Sequence, residues 1–88
     1  MNTECMLIVF ESTHKAIRTE RLLLDQIKID MIPTPREITA SCGLTIQFEI
    51  IDVVQAKALL ANEEKTGMSL YRYEKDETVK VTHISWEE

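Results

Sequence analysis

The residues with the clearest chemical potential lie in one stretch, Ile32-Pro33-Thr34-Pro35-Arg36-Glu37-Ile38-Thr39-Ala40-Ser41-Cys42-Gly43-Leu44. It holds both prolines of the chain, one of its two cysteines and one of its two glycines. A cysteine works as nucleophile or carrier in its thiolate form, so it gains from nearby positive charge and from N–H donors. Arg36, six residues before Cys42, can supply charge if the loop folds back. The amides of Cys42, Gly43 and Leu44 can form a small anion-binding concavity. Pro33 and Pro35 fix φ and restrict the residues before them. Gly43 can take a backbone conformation that a side chain disfavours. A thiol in such a setting can accept a sulfane sulfur as a persulfide, or selenium in an analogous adduct. The same residues also have a plain packing interpretation, with Cys42 a small buried residue at a strand start and Gly43 serving the turn.

Other chemistry-bearing residues are weaker. His14 falls in the first turn of a helix that follows the first strand, where it can face the Cys42 loop as proton donor or ion-pair partner; a solvated histidine is the simpler reading. Glu20 falls on or beside an apolar stripe, where a carboxylate suits a bond to backbone amides or to Arg36 more than acid–base catalysis. Ser12 and Thr13 are helix caps that can also help to bind an anion. Cys5 reads as a core residue, with a resolving thiol as the alternative. Cys42, His14 and Cys5 lack any metal-ligand spacing, so no metal is expected. The residue six after Cys42 is Phe48, which excludes a C-x5-R phosphatase signature.

The elements that must position these groups follow from periodicity. Cys5-Met6-Leu7-Ile8-Val9-Phe10 is a continuous apolar run and predicts a strand buried on both faces. Ala16, Ile17, Leu23, Leu24 and Ile27 predict an amphipathic helix over 13–28, with Arg18, Arg21 and Asp25 on its other face. Lys28 to Ile32 reads as a linker and short strand; the two prolines should stop its pairing and leave Arg36 to Gly43 as loop. Leu44 to Ile50 alternates strictly, which predicts a strand with Leu44, Ile46, Phe48 and Ile50 on the buried face. Asp52 is placed to cap a second helix over 53–65, with Val53, Val54, Ala56, Ala58, Leu59 and Leu60 on its apolar side and Gly67 beyond its end. Residues 68–73 and 78–84 predict two strands around a turn at 74–77, and 85–88 is a tail. The expected architecture is a ferredoxin-like βαββαβ two-layer α/β (α+β) sandwich with an extra C-terminal strand, in one domain over 1–88.

Composition limits the function classes. A net charge of −5 argues against general binding to nucleic acid and against docking on anionic membranes. No apolar run approaches the roughly 20 residues of a membrane span. The start Met1-Asn2-Thr3-Glu4 does not read as a signal peptide. Two cysteines make no disulfide framework, and reduced thiols in a cytoplasm are the expectation.

The segment Phe10-Glu11-Ser12-Thr13-His14-Lys15-Ala16, then Glu20, then Ile32 to Leu44 with its P-x-P-R and C-G, resembles the selenium/sulfur carrier-protein-like family of small bacterial domains. The resemblance covers roughly residues 5–73, leaving 74–88 as hairpin strand or tail. It implies that Cys42 is the carrier thiol, supported by Arg36 and the Gly43 amide. It further implies a carrier rather than a turnover enzyme, with no cofactor. The chalcogen atom would come from a donor protein of the cysteine-desulfurase kind and pass to an acceptor protein. Ser41 departs from the family, which often has glycine there; it makes the loop less permissive or adds a hydroxyl that can hydrogen-bond the sulfur. The competing class is a non-catalytic interaction or regulatory module that pairs through sheet edges, including as a homodimer, with Cys42 incidental.

Overall fold

The computed structural model describes residues 3–40 and 42–87. Its elements are β1 (Thr3–Phe10), α1 (Thr13–Leu23), β2 (Ile29–Pro33), β3 (Leu44–Phe48), a 3-10 turn (Ile50–Asp52), α2 (Val53–Leu59), β4 (Met68–Lys75) and β5 (Val79–Ile84). Among the described residues the strands form one five-stranded sheet in the order β2-β3-β1-β4-β5, antiparallel at every pairing. The fold is therefore mixed α+β. Strands β1 and β2, joined through α1, flank β3; strands β3 and β4, joined through α2, flank β1.

Both helices lie on one face of the sheet. Met6, Ile8 and Phe10 of β1 share a core with Ala16 and Leu23 of α1, Ala56 of α2 and Leu60 just after it, and Ile46, Phe48, Met68 and Leu70 of the neighbouring strands. Fully burying each large side chain there contributes about 1.5–3 kcal/mol. The alternate residues of β1, Cys5, Leu7 and Val9, point to the other face and are also buried, against Ile38 of the 34–43 loop. The central strand is thus covered on both faces, as its unbroken apolar run predicts, but by two different coverings.

Several expected boundaries move. Helix α1 ends at Leu23 rather than residue 28, and Leu24 to Gln26 form turns. Its inward positions are Ala16, Thr19 and Leu23; Ile17 and Leu24, expected on the buried stripe, are 41% and 56% exposed. Helix α2 ends at Leu59 rather than residue 65, and Asp52 makes no side-chain cap. Lys65 closes the segment beyond α2 instead, donating from Nζ to the carbonyls of Leu60 at 2.6 Å and Glu63 at 2.8 Å. Val54, expected on the apolar side of α2, is 76% exposed, and Ala58 is exposed as well.

Pro33 does not stop pairing: it is the last residue of β2, opposite Leu44. An edge strand has one unpaired side and tolerates a missing N–H there. Strand β3 stops at Phe48 because the 3-10 turn begins at Ile50. Gly67 has φ 76° as its type suggests, but it serves the entry into β4 rather than the end of α2; its carbonyl accepts the Glu11 N–H at 2.9 Å. The β4–β5 hairpin forms as expected, with its turn shifted to 76–78, where the Asp76 N–H donates to the Thr78 carbonyl.

Candidate functional site

The site is built at the end of the sheet where β1 finishes and β3 begins. In the β1–β3 register Val9 stands opposite Thr45, so the Cys42–Leu44 turn lies at the same end of the sheet as Ser12 and Thr13 at the start of α1. Gly43 carries φ 72° and is exposed. That left-handed step turns the chain so that Leu44 folds back on Cys42. The Leu44 N–H donates to Cys42 Sγ at 3.3 Å, and the thiol donates to the Leu44 carbonyl at 3.6 Å. The two contacts favour opposite states. An N–H donor stabilises a thiolate or a sulfur-bonded sulfur, whereas the carbonyl can hold only a protonated thiol. Cys42 is partly buried against the helix-side core.

The loop that delivers Cys42 is closed at its neck. The Thr34 N–H donates to the Gly43 carbonyl at 2.9 Å, and the hydroxyls of Thr34 and Thr45 lie 2.9 Å apart. Thr45 is fully buried, so this hydroxyl pair satisfies a polar group that otherwise has no water. At the far side of the loop the Ile38 N–H donates to the Pro35 carbonyl at 3.0 Å, closing a turn with Arg36 and Glu37 at its corners. Ile38 then packs on the helix-free face.

The remaining expected site residues are placed as follows. Arg36 is exposed at the turn corner and, among the described residues, makes no hydrogen bond or ion pair with Cys42 or Glu20. Ser12 is the N-cap of α1, its hydroxyl accepting the Lys15 N–H at 3.1 Å, and Thr13 is the exposed first residue of the helix. His14 is exposed and lines a groove of about 390 Å³ on the outer surface of α1 with Ile17, Arg18, Arg21 and Leu22. Glu20 is partly buried. Ser41 lies outside the described residues. Sequence reasoning missed Thr34, Thr45 and Ile38. The two threonines leave no spacing signal, but an isolated isoleucine in a proline-marked loop is a visible sign of an anchor.

The two cysteines are both free and do not meet. Cys5 faces the helix-free side and Cys42 the helix side. The offset from Cys5 to Phe10 alone is roughly 16 Å at about 3.3 Å per residue, far beyond the roughly 7 Å Cα separation a disulfide permits. An intramolecular thiol–disulfide cycle is therefore excluded. Burial pushes the Cys5 thiol above its ordinary pKa, which keeps it protonated and unreactive. Among the described residues no group of three or more His, Cys, Asp or Glu is arranged to hold a metal ion, and no helix is long and apolar enough to cross a membrane.

An uncharacterized protein of Methanocaldococcus jannaschii is 40% identical over 58 residues, covering 66% of this chain and 29% of its own length. The chain thus spans under a third of that relative. No solved structure matches the chain. The family described as "Putative Se/S carrier protein-like" matches residues 5–72, from the start of β1's buried run through most of β4 and including the whole of the Thr34–Gly43 loop. By that match the chain belongs to the Se/S carrier protein-like family.

Proposed function

We propose that the protein carries sulfur or selenium on Cys42 and passes it between partner proteins. The observation that supports this most is the Leu44 amide aimed at Sγ of the partly buried Cys42, while the second cysteine is buried with a raised pKa. In the loading step the Cys42 thiolate attacks the terminal sulfur of a donor persulfide. A new S–S bond forms on Cys42, the donor's S–S bond breaks, and the donor leaves as a thiolate. Unloading is the same exchange in reverse sense, with an acceptor thiolate attacking the outer sulfur and Cys42 leaving with its electron pair. No external oxidant or reductant enters either step. A donor selenopersulfide reacts in the same form, with selenium as the outer atom.

In the loaded state the inner sulfur has no proton, so the bond to the Leu44 carbonyl is lost and the bond from the Leu44 amide remains. Arg36, free at its turn corner among the described residues, meets the negative charge of an incoming persulfide or of the docking donor. A donor of the cysteine-desulfurase kind and a thiol-bearing acceptor are the partner classes this chemistry requires, in a cytoplasm where thiols stay reduced. We further propose that the two interleaved β-α-β units make one domain of ferredoxin-like type, with β5 added beside β4.

The test is intact-protein mass spectrometry after incubation with a cysteine desulfurase and cysteine. Wild type and Cys5→Ala should gain the mass of one sulfur atom, removable by dithiothreitol, and Cys42→Ala should not. Equal labelling of Cys42→Ala, or no adduct on the wild type, would overturn the reading. A second reading, an interaction module with Cys42 as a packing residue, draws on the contact of Cys42 with the helix-side core. It predicts that Cys42→Ala binds the same partners as the wild type and that no adduct forms.

A further inference from the structure

The loop around Cys42 touches both faces of the sheet. Its middle is anchored on the helix-free face, where Ile38 is buried with Cys5, Leu7 and Val9. Its end lies on the helix face, where Cys42 packs against the other core. The neck of the loop is held by the Thr34 N–H to Gly43 carbonyl bond and the Thr34–Thr45 hydroxyl pair. The covering of the helix-free face is thin: Ile38 is the one loop side chain buried there among the described residues, and Ala40 is partly buried beside it.

From this arrangement we infer that Ile38 is a positioning residue for the thiol: its seat on the helix-free face holds Cys42 in its place on the helix face. The coupling is mechanical. The Gly43 carbonyl accepts from Thr34 at one end of the loop, and Gly43 sits between Cys42 and the Leu44 amide that bonds Sγ. The Ile38 seat and the neck bonds hold the loop jointly; when Ile38 leaves its seat, the motion of the loop falls on the neck bonds, which set the Gly43 step, and they open with it. Detachment therefore loosens the Leu44 N–H to Sγ contact and uncovers the sulfur. The closed loop holds the thiol against its amide donor, and the open loop offers it to a reagent or partner. The inference deepens the carrier reading and rests on it for its purpose, but its readout, alkylation of Cys42 by iodoacetamide, needs no sulfur donor.

The experiment compares the alkylation rate of Cys42 in the wild type, Ile38→Val, Ile38→Ala and Val81→Ala. Val81 packs on the same apolar patch from β5 without belonging to the loop, so it controls for a general loss of stability. Ile38→Ala should raise the rate by about tenfold or more, the factor that corresponds to about 1.4 kcal/mol of loop opening. Ile38→Val should fall close to the wild type, and Val81→Ala should change the rate by less than about twofold. An unchanged rate in Ile38→Ala, or equal acceleration in Ile38→Ala and Val81→Ala, overturns the inference. Hydrogen exchange on the wild type tests it without any variant. The amides of Thr34 and Leu44 should exchange through one shared opening that is easier than global unfolding. Exchange of Leu44 only on global unfolding, or at an opening cost different from that of Thr34, would equally sink it.

Discussion

Replacing Gly43 by alanine isolates the contribution of one backbone angle. Gly43 has φ 72°, and a Cβ built on it meets nothing within 4 Å. The substitution therefore adds no clash, and its whole cost is the left-handed conformation of an L-residue, about 1–2 kcal/mol. Part of this is offset because alanine has less freedom than glycine in the unfolded chain, an effect of about 0.4–1 kcal/mol where the native angle is compatible. The expected net loss is roughly 1 kcal/mol, which for a domain of this size lowers Tm by about 4–8 °C. Asparagine tolerates the left-handed region, so Gly43→Asn should recover most of the loss. Urea denaturation of the three proteins should show shifted midpoints with a common slope. The Leu44 amide resonance, which reports its bond to Cys42 Sγ, should move in Gly43→Ala and return in Gly43→Asn. If alanine is as stable as glycine, or if asparagine costs as much as alanine, φ is not what the glycine supplies and the account of the Cys42 turn is wrong.

Three further outcomes follow from the two thiols and the neck of the loop. Iodoacetamide at neutral pH should modify Cys42 well before Cys5, which is 6% exposed and has its thiol pKa raised by burial; peptide mapping after short exposure checks the order, and faster modification of Cys5 would contradict the burial assignment. That raised pKa also sets a pH dependence: the folded state holds the Cys5 proton after the unfolded state has released its own, so the contribution is complete below the ordinary thiol range and is lost as pH rises through it, a slope that Cys5→Ala should remove in denaturation measured against pH. Thr34→Val leaves the fully buried Thr45 hydroxyl without its partner and should cost about 1–3 kcal/mol, with a double-mutant cycle against Thr45→Val giving a coupling of about 0.5–1.5 kcal/mol; additive losses would show that the hydroxyl pair contributes nothing.

The order of elements was legible because it rests on strong local patterns. The six-residue apolar run Cys5 to Phe10 needs burial on both faces, and it has it. The boundaries of the helices were less legible because tertiary geometry sets them. A crossing over a strand such as β3, about 17 Å deep at 3.4 Å per residue, needs only about 11 residues of helix at 1.5 Å each. The helix therefore stops at Leu23; Leu24 faces solvent, while Ile27 still enters the core from the segment beyond the helix. Alternation in β3 identified Ile46 and Phe48 as core but assigned Thr45 to a wetter face, since nothing in the strand reveals that a loop lies over that face. At the site, Gly43 and Cys42 were legible from type and spacing. The placement of Arg36 on the outer corner of a turn was not, because the direction in which a proline-marked loop folds is decided by where Ile38 finds apolar surface.

Strand β1 sits in the middle of the sheet, between β3 and β4, and its partners come late in the chain. It pairs with residues as distant as Lys75 opposite Thr3. During synthesis its apolar run therefore emerges before β3 and β4 and stays without its β4 partner until residues 68–75 are made. Local hairpins such as β4–β5 can form within moments, but the central ladder must wait for long-range closure, which slows folding and lengthens the time that Cys5 to Phe10 are open to wrong pairing. A newly made chain that stalls before Met68 should present this segment to chaperones or to other chains, and completion of β4 should matter more to recovery of soluble protein than any single core contact.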